Sequence, residues 1–204
     1  MSYKRVLILG LLVVTVLAFA SSAMADGAPV TIVFNGGYAF ASGGYGIPPY
    51  QGTMNGVSEQ FFCVDFKHDI VAGQSWKATV TSLTNAMGVA QNTYLGSQTE
   101  YLEFAWLIGL MMSAEKAKDW TDAAAYQAMI WSFTGGPAAA IPTADWYPSW
   151  FTGQGWEILT PTVVGSGQEF LVQTPEPSIL LLFGTGLVLI GVILKKRSAQ
   201  NRAY

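Results

Sequence analysis

Two apolar segments, Val6 to Ala20 and Ile179 to Leu194, stand at either end of this 204-residue chain and decide how much of it is free to fold as a domain. Lys4 and Arg5 precede the first, and Ser21, Ser22, Ala23, Met24 and Ala25 follow it, with small residues where a signal peptidase reads. A basic start, a short apolar run and an Ala-x-Ala exit make residues 1–25 a secretory signal peptide cut before Asp26; the run is short for an uncleaved anchor. The second segment, 179–194, would extend about 24 Å as a helix against a hydrocarbon core of about 30 Å, a short transmembrane span with snorkelling flanks. Lys195, Lys196 and Arg197 follow it and should stay cytoplasmic, which leaves the body of the chain outside.

What remains, residues 26–174, is one domain's worth of chain. It holds four lysines and no arginine against twelve carboxylates, a net charge of −8. With no basic stripe, the electrostatic attraction behind most nucleic-acid affinity would be repulsive, so nucleic acid is set aside as a partner. Abundant Gly, Thr and aromatic residues, with little Lys or Glu, favour strands and turns over a helical bundle. Cys63 is the only cysteine and His68 the only histidine, so neither an internal disulfide nor a His/Cys metal site can be built, and no cofactor is implied. Asp65 with Asp69, and Asp119 with Asp122, lack the spacing of a calcium loop.

The expected architecture is α+β, a strand-rich barrel or sandwich with two inserted helices, flanked by the signal helix and the C-terminal hydrophobic helix. Short strands are expected from Val30 to Phe40, from Phe61 to Phe66, from Trp76 to Leu83, from Glu157 to Leu159 and from Glu169 to Val172. In the third, Trp76, Ala78, Val80 and Ser82 alternate with Lys77, Thr79 and Thr81. Ser97 and Glu100 form a capping box ahead of an apolar helix from Tyr101 to Met112. Thr121 and Asp122 open a second helix that runs through Trp131 and stops at Gly135, Gly136 and Pro137.

At the C-terminus, Pro175, Glu176 and Pro177, a Leu-rich stretch broken by Gly184, Thr185 and Gly186, and a closing basic patch resemble a PEP-CTERM sorting signal. The resemblance covers about the last thirty residues, 175–204. It implies an exosortase as processing partner in a Gram-negative bacterium that also assembles exopolysaccharide. Membrane anchoring would then precede transfer to the cell surface or extracellular matrix. A plain C-terminal anchor satisfies the same length and charge criteria.

Within the body, Gln127 has Ala123, Ala124, Ile130 and Trp131 as its helical neighbours, which places its carboxamide on an apolar face. Burying an amide without partners costs about 2–7 kcal/mol, so something must hold it there. A hydrogen-bonded core glutamine beside a small buried cysteine is one answer. The other comes from the motifs. Phe62, Cys63, Val64 and Asp65, followed sixty-four residues after the cysteine by Tyr126, Gln127 and, at the end of the pattern, Trp131, resemble the paired motifs of bacterial thioester domains.

That resemblance implies an internal thioester between Cys63 and Gln127, formed with loss of ammonia and opened by an amine on a partner surface, as in a covalent adhesin. Phe61, Phe62 and Trp131 would exclude water, and Asp65, on the strand face of Cys63, would orient or polarise the site. The chain is read as a non-enzyme. A Cys63–His68 hydrolase is disfavoured because a spacing of five puts the two on opposite faces of one strand. A further reading is non-covalent exopolysaccharide binding on an aromatic platform of Trp146, Trp150 and Trp156, although loop aromatics also fold back over cores.

Overall fold

The computed structural model describes residues 26–137 and 147–174, together with positions 184, 186, 187 and 191 of the C-terminal segment. The expected signal peptide, the Pro175–Glu176–Pro177 motif, most of the expected span 179–194 and Trp146 lie outside the described residues. Met24–Thr174 forms one compact unit. No helix among the described residues is long and apolar enough to cross a membrane.

The α+β, strand-rich expectation holds, and between barrel and sandwich the chain forms a closed barrel. Its strands are β1 (Pro29–Gly37), β4 (Tyr50–Met54), β5 (Val57–Cys63), β8 (Phe170–Gln173), β7 (Trp156–Pro161) and β6 (Ser75–Ser82), hydrogen-bonded in that order. All neighbours are antiparallel, and β1 closes the ring by pairing with both β4 and β6. Closure gives every barrel strand a partner on each side. The period-two pattern explains the inside of the barrel: Val30, Ile32 and Phe34 of β1 and Trp76, Ala78 and Val80 of β6 are all buried. Phe61 and Phe170 stack at 5.2 Å in the core.

Barrel closure also demands a close approach at Gly52 in β4. A methyl group there would lie 2.3 Å from the Val33 carbonyl oxygen and 2.6 Å from the Phe61 ring, so only glycine fits. A separate two-stranded hairpin of β2 (Phe40–Ser42) and β3 (Tyr45–Ile47) stands outside the barrel. Gly43 and Gly44, at φ +59° and +88°, make its turn.

Between β6 and β7 the described residues form three helices, one more than expected. The additional α1 (Ala86–Asn92) is short and carries a glycine, so it has no readable apolar stripe. Asn85 caps it by accepting from the Gly88 amide at 3.0 Å. In α2 (Gln98–Ala117) Ser97 is the N-cap, as its spacing to Glu100 suggests, and Lys118 closes the helix in the left-handed conformation. The last helix, α3 (Trp120–Phe133), starts slightly earlier than Thr121 and Asp122 indicated. Its N-cap is Asp119, whose carboxylate accepts from the Asp122 amide at 3.1 Å. The strand expected over Phe61 to Phe66 ends at Cys63, because the chain turns there.

Candidate functional site around Cys63 and Gln127

The turn after β5 is set by Asp65. Its carboxylate accepts from the Lys67 amide at 2.9 Å, pairs with His68 Nδ1 at 2.6 Å and takes the Glu169 amide at 3.4 Å. An aspartate that satisfies amides a few residues on curls the backbone into a compact loop. The loop turns the Asp65 carbonyl back onto Cys63, whose thiol donates to it at 3.2 Å. The expected role of the Asp65 side chain therefore needs correcting. Asp65 lies beyond the strand, and it meets the sulfur through its backbone carbonyl while its carboxylate holds the loop.

From the other side comes α3, with Gln127 and Trp131 one turn apart on one face. The Gln127 amide nitrogen donates to the Cys63 carbonyl at 2.9 Å, and the Trp131 indole N–H donates to the Cys63 sulfur at 3.4 Å. Cys63 and Gln127 are fully buried. Gln127 Oε1 is also buried and has no hydrogen-bond partner among the described residues, so this amide is only half satisfied. The two residues that the motifs paired across sixty-four positions are thus brought together by the end of β5 and the inner face of α3.

Burial pushes the Cys63 thiol up to about 12; the bonds from Trp131 and to Asp65 pull the other way without offsetting it. The sulfur is held as a thiol, with its proton directed at a carbonyl. His68 turns to Asp65 and to the ring of Tyr94 at 5.7 Å, while the sulfur has Trp131 and the Asp65 carbonyl as its partners. The geometry is not that of a nucleophile with its base.

Of the three residues expected to exclude water, Trp131 touches the sulfur; Phe61 and Phe62 are buried, and Phe62 meets Trp156 edge-on at 6.0 Å. Trp156 is consequently removed from the expected sugar platform: it is the first residue of β7, 5% exposed, and faces the core. Trp150 is 70% exposed and lies edge-on to Trp106 at 5.7 Å.

Two features had no usable signal in the sequence. One is Glu169, a buried carboxyl bonded to the Tyr101 hydroxyl, to the Thr160 hydroxyl at 2.6 Å and to the Tyr94 amide at 3.1 Å. The other is a cleft of about 520 Å³ whose walls include Tyr38, Tyr45, Asp65, Phe66 and Trp131. Trp131 belongs both to this cleft and to the sulfur's own contacts. Among the described residues no cluster of three His, Cys, Asp or Glu side chains is arranged to hold a metal ion.

No family model, curated protein or solved structure matches the chain, so the functional reading rests on the site itself.

Proposed function

We propose that this is an exported cell-surface or matrix protein, sorted by an exosortase, that carries an internal thioester between Cys63 and Gln127. The observation that supports it is the half-satisfied Gln127 carboxamide lying against Cys63. A buried orphan acceptor costs about 1–3 kcal/mol. A thioester carbonyl is a weaker acceptor than an amide carbonyl, so the same dry environment penalises the thioester less.

In the ring-closing step the sulfur bonds to the Gln127 side-chain carbonyl carbon. The carbon–nitrogen bond breaks, and the nitrogen leaves as ammonia with the thiol proton. In the coupling step an amine on a partner bonds to that carbon, the carbon–sulfur bond breaks, and a proton from the amine restores the Cys63 thiol. Each molecule couples once, which makes the chain a covalent adhesin rather than an enzyme. The net charge of −8 over residues 26–174 favours approach of a cationic, amine-bearing surface.

Intact mass of the purified chain tests this, beside Cys63→Ala and Gln127→Ala variants, with and without methylamine. The expected result is a mass lighter by one ammonia, replaced by a methylamine adduct on treatment, with neither change in the variants. An unmodified mass with one titratable thiol refutes it.

A second reading, non-covalent exopolysaccharide binding, keeps Trp150 as its anchor, since that ring is largely exposed and braced by Trp106. Saturable polysaccharide binding abolished by Trp150→Ala would carry it.

A further inference from the structure

We infer that the β2–β3 hairpin is the lid of the Cys63–Gln127 site, and that Tyr45 is the positioning residue that keeps the Trp131 indole over the sulfur. The consequence for a reactive acyl group rests on the thioester reading. The lid itself does not.

Trp131 sits at the boundary between the sulfur and solvent. Its indole nitrogen reaches Cys63, it is 5% exposed, and it lines the cleft. Trp131 is thus a wall of the cleft that also touches the sulfur, so a reagent reaching the sulfur on that side has to displace it. Two rings hold it in place: Phe66 at 5.3 Å and Tyr45 at 5.6 Å, themselves 5.3 Å apart, so that the three close a triangle.

The two supports differ in how they are tied. Phe66 is fixed to the end of α3. Its amide donates to Thr134 Oγ1 at 3.1 Å, and a methyl group on Gly136 would lie 3.0 Å from the Phe66 ring and 2.7 Å from the Trp131 Cβ. Tyr45 instead stands at the tip of a hairpin outside the barrel, 44% exposed, next to the Gly43–Gly44 turn.

That hairpin is anchored at its base. Ile47 is buried and accepts from the Ala39 amide at 2.9 Å, the Tyr50 hydroxyl donates to the Gly46 carbonyl at 2.8 Å, and Phe40 packs on Trp120 at 5.0 Å. Beyond Gly46 the tip has the Ser42–Tyr45 pairing and the aromatic contacts of Tyr45. A short, weakly tied tip belongs to the low-stability end of a fold and opens without the barrel opening. When it swings out, Trp131 loses one of its two supports and the sulfur comes within reach of the cleft.

The test uses the full chain with Gln127→Met, which has no carboxamide and therefore keeps Cys63 a thiol whatever the fate of the thioester proposal. Iodoacetamide alkylation of Cys63 is timed in this parent and after adding Tyr45→Ala, Tyr45→Phe or Gly44→Ala. Loss of two ring contacts in Tyr45→Ala should speed alkylation roughly tenfold, and Tyr45→Phe, which keeps the ring, should match the parent. Gly44→Ala meets no atom within 4 Å but strains a φ of +88°, so it loosens the tip without touching a ring and should also speed alkylation.

A thermal melt beside each measurement identifies global unfolding; if Tyr45→Ala unfolds, Gly44→Ala decides between a lid and none. Parent-like alkylation in the folded Ala variants overturns the lid. With Gln127 restored, Tyr45→Ala should shorten the life of the thioester in buffer. Absence of any ammonia deficit in the chain that keeps both Gln127 and Tyr45 refutes the thioester and leaves the alkylation result standing.

Discussion

The side-chain nitrogen of Gln127 donates to the backbone carbonyl of Cys63 at 2.9 Å, so the end of a barrel strand and the middle of a helix are joined by an amide whose own oxygen finds no partner among the described residues. This arrangement requires an amide with its N–H toward Cys63.

Gln127→Glu should therefore be worse than its near-isosteric chemistry suggests. A carboxylate would set an acceptor against an acceptor in a fully buried site. We expect a loss of about 3 kcal/mol at neutral pH, against about 1–2 kcal/mol for Gln127→Met, which removes the bond but fills the space. Urea unfolding of the two variants measures the gap, which should narrow at acid pH as the new carboxyl is protonated.

Because burial lifts the Cys63 thiol to about 12, its alkylation in the Gln127→Met chain should climb with pH, about tenfold per unit up to pH 10 without levelling. A plateau near the ordinary thiol range, about 8.5, would show a solvated sulfur and contradict the packing described here.

Glu169 gives the fold a pH dependence. Burial raises its carboxyl to about 7, although the Thr160 and Tyr101 hydroxyls and the Tyr94 amide pull it down. Between the ordinary carboxyl value of 4.5 and about 7, the folded chain holds a proton that the unfolded chain has released. The stability it contributes is full below that window and is lost as pH rises through it, by about 1.4 kcal/mol per unit at most. Glu115 and Glu157 are also raised to about 7, so the difference from Glu169→Gln isolates this residue. Thermal midpoints from pH 4.5 to 8 should fall less steeply in the variant.

Gly52→Ala tests barrel closure away from the site. The added methyl collides with a backbone carbonyl and a packed ring, neither of which yields cheaply, so a loss of about 2–3 kcal/mol or failure to fold is expected. A variant as stable as the parent in urea would mean that β1, β4 and β5 are less tightly wrapped than the register indicates.

The sequence was informative where the physics is local. Alternation in Trp76 to Ser82 identified β6 and the inward set Trp76, Ala78 and Val80, though at its end Thr81 is buried rather than Ser82, and Ser97 with Glu100 marked the start of α2. The burial of Gln127 was legible from its apolar helix face, whereas its pairing with Cys63 came from the likeness of the two motifs to those of bacterial thioester domains. Long-range relationships were beyond that kind of reading. Whether β1 would meet β6 to close a barrel depends on register over more than forty residues, and the tie between Glu169 and Tyr101 spans sixty-eight. Asp65 failed as a strand residue because its side chain found nearer partners in Lys67 and His68. Trp156, read as part of a loop, opens β7, where its ring meets Phe62.

The ladder between β5 and β8 is the narrowest in the barrel: Phe62 pairs with Leu171 and Cys63 with Phe170, where the other seams run to four or five residues. Strand β8 is also the last before the chain leaves the barrel at Thr174. Tension applied to the chain beyond Thr174 would load both seams of β8, first the β7 side at Gln173 and Thr174 and then the shorter seam that holds Cys63, where a bond tying that cysteine to α3 would act as a mechanical rivet.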